Sequence, residues 1–330
     1  MRRLIVVLSI GALVSVALPA VAQDEIHYCF GEQATIEARF GATVEGTPGP
    51  DVIWGGNIVD GRGGDDLICS LNGHDLVLGG PGDDKLDGGD NQDTLEGGPG
   101  DDYLLGNCNC YAGVAGGEAV SYELSSGPVV VDLSQGIATG EGTDTLGCFR
   151  EIIGSDYADT LRGASERHDN GDYIDGRGGD DAIYGSKWNS DYSEVLIGGG
   201  GNESIYGLWG WEQIFGGEGD DTLFGGRGMD ALRGGPGDDD MDGGIGGDYV
   251  SYGEIHIFGG ETHPGALAAI RADFATRTVQ GEGNDTFSNA ESLAGSEIRR
   301  RSSGRRRSKL TLRWWRKRHP SGPARQRFLV

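Results

Sequence analysis

Between Gly79 and Asp87 the chain reads GGPGDDKLD, and nearly the same nine residues return as GGPGDDYLL at 97–105, GGEGDDTLF at 216–224 and GGPGDDDMD at 234–242. All fit one template, G-G-x-G-x-D-x-U-x, in which U is a large aliphatic residue. A tandem period this short cannot be a string of independent domains. Neighbouring units must cover one another's apolar side, which makes the chain a solenoid.

Glycine enters positive-φ conformations freely, so the first six positions predict a tight turn. The last three predict a short strand whose middle residue points inward, as Leu86, Leu95, Leu104, Leu223 and Leu232 would. An unstructured Gly/Asp linker has no need of an apolar residue at the eighth position. The aspartate at position six then piles like charges along both edges of the solenoid, and a cation between successive turns is needed to offset the repulsion. Carboxylates and backbone carbonyls are hard oxygen ligands, which suit calcium rather than zinc or copper.

The template resembles the RTX, or hemolysin-type, calcium-binding repeat. That resemblance implies an all-β fold, a parallel β-roll solenoid with two units to a coil of about eighteen residues, and multiple Ca2+ ions as the cofactor. The metal-ligating residues it implies are Asp51, Asp66, Asp75, Asp84, Asp93 and Asp102 in a first array. In a second they are Asp159, Asp172, Asp181, Asp221, Asp230, Asp239 and Asp248, joined by the turn glycines Gly82, Gly100, Gly219, Gly228 and Gly237. An ion bridging turns two units apart would pair Asp66 with Asp84, Asp75 with Asp93, Asp84 with Asp102, Asp221 with Asp239, and Asp230 with Asp248. Glu194, Glu203 and Glu212 occupy position six in three successive units and depart from the pattern, so the middle of the second array is expected to bind calcium less well.

Residues 1–22 pair Arg2 and Arg3 with an apolar run and an Ala20-Val21-Ala22 close, the pattern of a secretory signal peptide. A short cap (23–45) is expected next, then the first nonapeptide array (46–106), a β cassette (107–153), the second array (154–251) and a second β cassette (252–298). In the first cassette Val129–Leu133 reads as a strand. Val120-Ser121-Tyr122 recurs as Val250-Ser251-Tyr252, and VDLSQGIATGEGTDTL at 131–146 as ADFATRTVQGEGNDTF at 272–287, so the chain is a duplication of array plus cassette. Two thirteen-residue units, at 163–175 and 185–197, must bulge by four residues. The tail, 299–330, carries thirteen Lys or Arg and no acid. It reads as a frameshifted or disordered continuation, with a basic membrane- or nucleic-acid-binding tail as the competing reading.

With those thirteen and the two arginines of the leader set aside, twelve basic residues face 52 acidic ones, and the body stands near −40. Such a charge argues against nucleic acid as its partner and favours cations. No stretch after the leader is long and apolar enough for a membrane span. In an oxidising compartment the cysteines are expected as disulfides, Cys148 with Cys108 or Cys110 and Cys29 with Cys69.

No H-E-x-x-H helix or G-x-S-x-G turn is present, and acid pairs repeated at lattice spacing do not define one acid/base centre. Two function classes follow. The first is a secreted, non-enzymatic calcium-binding protein of structural or adhesive role, outside the cytoplasmic membrane in the periplasm, at the cell surface or in the medium, with a cell-surface or polysaccharide ligand. The second is a polysaccharide-modifying enzyme or carbohydrate-binding module that uses the solenoid face, where Trp188, Trp209 and Trp211 gather.

Overall fold

The computed structural model describes residues 26–107, 118–164, 171–187 and 193–252, and from there on 255–256, 262–263, 271–273, 277–280, 283–290 and 292–295. The expected signal peptide, the basic tail, Cys108, Cys110 and Trp188 lie outside the described residues.

Each unit of the first array closes on a three-residue strand: Val52–Trp54, Ile58–Asp60, Leu67–Cys69, Leu76–Leu78, Lys85–Asp87, Thr94–Glu96 and Tyr103–Leu105. Strand side chains alternate in direction, so only the middle one turns inward. Ile53, Val59, Ile68, Val77, Leu86, Leu95 and Leu104 are all wholly buried. A strand pairs in parallel with the strand two units away, Leu86 with Ile68 and Leu104 on one sheet, Leu95 with Val77 on the other. Successive strands therefore alternate between two parallel sheets that face each other across one continuous core. The fold is an all-β parallel roll, with no helix among the described residues.

The N-terminal segment does more than cover the end. After a hairpin of Tyr28–Cys29 with Glu32–Gln33, the strands Ile36–Glu37 and Thr43–Glu45 pair in parallel with Val52–Trp54 and Ile58–Asp60, so the segment forms the first coil. A Cys29–Cys69 disulfide ties that hairpin to the first array. Cys148 is also disulfide-bonded, while the two partners expected for it lie outside the described residues.

In the second array the thirteen-residue units show as a longer register step. Leu161 faces Ile183, Ile174 faces Leu196 and Ile183 faces Ile205, before Leu196 meets Ile214 at the regular step. The extra residues are absorbed between strands, and the inward positions stay in line.

Each cassette inserts a hairpin into one sheet. Beside Tyr103–Leu105 lie Thr143–Gly147, Ile137–Thr139 and Val130–Asp132 in that order, each of these three antiparallel to the next, and then Thr160–Arg162 resumes the roll. Asp240–Gly246, Asn284–Ser288, Thr278–Gln280 and Arg271–Asp273 repeat the order after the second array, as the duplication requires.

Position four of the turn carries the tightest contact. Gly100 has φ +154°, and a Cβ there would fall inside the van der Waals radius of the Gly82 carbonyl oxygen in the coil beneath; Gly82, Gly219, Gly228 and Gly237 repeat the arrangement. Gly49 holds the same position in its turn without a positive φ and with open space around it. Gly100→Ala should therefore cost about 1–3 kcal/mol, while Gly49→Ala should stay within about 0.5 kcal/mol. Urea-unfolding midpoints of the two variants test this, and equal shifts would refute it.

Candidate metal-binding edges

At the corner where each turn meets its strand, the position-six acid is buried: Asp66, Asp84, Asp93 and Asp102 are 0–3% exposed. One carboxylate oxygen has a fixed task. The backbone N–H of Asp66 donates to Asp84 Oδ1 at 2.7 Å, and that of Asp84 to Asp102 Oδ1 at 2.8 Å. The pairs Asp75–Asp93, Asp221–Asp239 and Asp230–Asp248 repeat the bond at 2.8, 3.1 and 3.0 Å. Every same-edge pair expected from the repeat is thus in contact, and the bond is a backbone amide to a carboxylate.

The other oxygen has no donor. Oδ2 of Asp66, Asp84, Asp93, Asp102, Asp181 and Asp239 is buried without a hydrogen-bond partner. At position one of the same turn sits a glycine. A Cβ on Gly61 would meet Asp66 Oδ2 at 2.5 Å and the Gly79 carbonyl of the next coil at 2.6 Å, and Gly79, Gly176 and Gly216 repeat this cradle. A buried orphan carboxylate oxygen converging with a backbone carbonyl on a space that any side chain would fill fits a hard cation such as calcium. Among the described residues no three His, Cys, Asp or Glu side chains converge on one point. Each cradle brings a carboxylate oxygen and a backbone carbonyl together, both among the hard oxygen donors that calcium takes.

Position two decides whether a turn is open in this way. Where it has a positive φ, at Gly80, Gly98 and Gly217 but also at Arg62, Leu71, Arg177 and Leu208, its N–H does not reach the turn's own acid. At Gly80 and Gly217 it is bonded instead to a carbonyl of the next coil. Thr47, Ser155, Ala164 and Ser186 hold that position without a positive φ. Their N–H groups close on Asp51, Asp159, Asp172 and Glu194 at 2.5, 2.7, 2.8 and 3.0 Å. These four acids are buried at the edge like the others, with the second oxygen already hydrogen-bonded. Glu203 and Glu212 lie against Asp221 and Asp230, and burial first, then the adjoining acid, raises both glutamates above the ordinary carboxylate range.

Three further acids belong to the edges. Glu118 accepts the Asp93 N–H at 2.9 Å, Asp144 that of Asp102 at 3.2 Å, and Asp285 that of Asp239 at 3.3 Å. The signal for two of them is in the sequence, since Gly140-Glu141-Gly142-Thr143-Asp144-Thr145-Leu146 and its copy around Asp285 are the turn template inside the cassettes. Beyond Glu118 the same column carries Arg150, buried, with Nη1 4.0 Å from Asp172 Oδ1.

A family model, that of the RTX calcium-binding nonapeptide repeat, matches four times, at residues 41–68, 70–104, 188–223 and 215–250. No curated protein matches the chain.

Burial, and after it the neighbouring acids, work against charge at the open turns: Asp84 and Asp102 are pushed up to about 7, Asp181 and Asp239 to about 8. A carboxyl whose pKa is raised on folding holds more protons in the folded state. Its contribution is complete below the unfolded value near 3.8 and is lost as pH rises through 7 to 8. Without metal, the body should therefore hold more β structure at pH 5 than at pH 9. Far-ultraviolet circular dichroism across that range in chelator tests the sign, and β content rising with pH would contradict it.

Proposed function

We propose that this chain, which carries RTX calcium-binding nonapeptide repeats on a parallel β-roll, is a secreted protein that folds on the calcium it binds and serves a structural or adhesive role. The observation that carries the reading is the row of buried, unpartnered Oδ2 atoms facing glycine cradles at Asp66, Asp84, Asp93 and Asp102. Bound calcium supplies the positive charge those atoms lack, and the turn residues position the oxygens around it. The core is only one side chain wide per unit, so metal-free edges cost a large share of what the core contributes. The leader, with its paired arginines and Ala-x-Ala close, supports export to a compartment where calcium is plentiful.

The acids recur at every coil instead of forming one distinct acid/base pair, which favours a scaffold over a catalyst. A glycan-binding face has narrower support. Trp211 is 44% exposed, but the Trp209 ring carries the Arg227 guanidinium 4.7 Å from its centre, and Tyr184, Tyr206 and Phe224 stack on one another. Rings stacked in this way cover each other's faces, the surfaces a sugar would use.

The body should be largely unfolded in chelator and gain β structure cooperatively as calcium rises to about 10⁻⁴–10⁻³ M. Identical circular dichroism spectra in chelator and in excess calcium would refute this. Within the rows, Asp84→Ala should lower the number of bound calcium ions more than Asp159→Ala, because Asp159 already accepts the Ser155 N–H and hydroxyl. Equal losses in calorimetric titration would overturn the ranking.

A further inference from the structure

Position one of the turn is glycine in every coil of this edge that belongs to an array, as at Gly79, Gly97, Gly216 and Gly234, and a Cβ there would point at the orphan oxygen of the turn's own aspartate. The cassettes break the column with a tyrosine. Tyr122 follows the strand Ala119–Ser121 and its N–H donates to Ile153 O at 2.9 Å, just as the Gly79 N–H donates to Glu96 O. Tyr252 holds the matching place in the second cassette, at the end of Tyr249–Tyr252. Both rings are buried in the core, 2% and 1% exposed. The Tyr122 hydroxyl donates to Asp144 Oδ2 at 2.7 Å, and the Tyr252 hydroxyl donates to Asp285 Oδ2.

Asp144 Oδ1 takes the Asp102 N–H as Asp66, Asp84 and Asp102 each take that of the aspartate before, so Asp144 is the last member of the first row. Asp285 ends the second row in the same way. Where Asp84 and Asp102 leave Oδ2 open, these two receive a phenol. A buried carboxylate needs either a cation or good donors, and a neutral hydroxyl supplies the second without a metal. The strand beyond Asp144 is the antiparallel Ile137–Thr139, so no further array turn stacks on it.

We propose that Tyr122 and Tyr252 are the terminators of the calcium rows. Each fills the position-one cradle with its own ring and satisfies the last aspartate by hydrogen bonding, so the row ends without an ion on that aspartate's free oxygen. The proposal rests on the calcium reading above and assigns the tyrosines a positioning role toward Asp144 and Asp285. It also explains why the tyrosine and the distant aspartate are retained together in both halves of the duplication.

The test counts bound calcium on the full chain by equilibrium dialysis at saturating calcium. Asp102→Asn and Asp239→Asn are expected to lose at least one ion each, whereas Asp144→Asn and Asp285→Asn, which keep an acceptor for the tyrosine, should lose none. Loss at Asp144 or Asp285 equal to that at Asp102 or Asp239 would overturn the proposal. No loss at any of the four would overturn the calcium reading, and the proposal with it. A second measurement isolates the hydroxyl. Tyr122→Phe should raise the calcium midpoint of folding severalfold by stranding a buried charge, and adding Asp144→Asn should bring that midpoint part of the way back. A ring that matters only for packing would give no such relief, and its absence would count against the proposal.

Discussion

A buried carboxylate with one oxygen satisfied and one left open is the constraint on which this roll depends. The satisfied oxygen belongs to the fold: the amide of one coil donates to the aspartate of the next and sets the stacking distance and the register together. The open oxygen belongs to whatever cation the turns admit. Glycine at positions one and four follows from the same demand. At position one a side chain would occupy the space beside Oδ2, and at position four it would strike the carbonyl stacked beneath it. The apolar core is narrow because each unit yields a single inward side chain, so the edges and not the core decide whether the coil holds.

The rows are not uniform along their length, and the variation has a local cause. A positive φ at position two opens the turn, whether the residue is Gly80 or Arg177. Thr47, Ser155, Ala164 and Ser186 close theirs by turning the N–H back to the acid. Closed turns cluster where the repeat is imperfect: at the first array turn, just after the first cassette, and in both thirteen-residue units. The acids of those four turns are thereby satisfied from within the turn, and the unpartnered oxygens lie in turns that stay open.

The cassettes carry the same principle further. They keep the position-six acids Glu118, Asp144 and Asp285 in the edge columns; a tyrosine hydroxyl meets Asp144 and Asp285 on one edge, and on the other Arg150 takes the next place in the column, beside Asp172. Each half of the duplication thus has a stretch with unpartnered carboxylate oxygens and a stretch that supplies its own hydrogen bonds. The antiparallel hairpin of each cassette adds to this by ending the regular stacking of turns on that sheet.

The nine-residue period by itself determined a solenoid with one inward residue and one corner acid per unit; two units to a coil, and with them the same-edge aspartate pairs, followed from the resemblance to the RTX repeat. The four-residue steps were also legible from unit length, and cysteine count and compartment called for disulfides, but the partnership of Cys29 with Cys69 was decided by the tertiary structure. What only the tertiary structure decided is which acids remain open. Asp84 and Asp159 hold the same position of the same template, yet Ser155 bonds to one while a positive-φ Gly80 turns away from the other. The partnership of Tyr122 with Asp144 spans twenty-two residues, with the strands Val130–Asp132 and Ile137–Thr139 lying between them in the chain. A linear pattern records the spacing of residues along the chain. Whether a carboxylate oxygen meets an amide, a phenol or an open cradle depends on backbone direction at the turn and on side chains brought in from another coil.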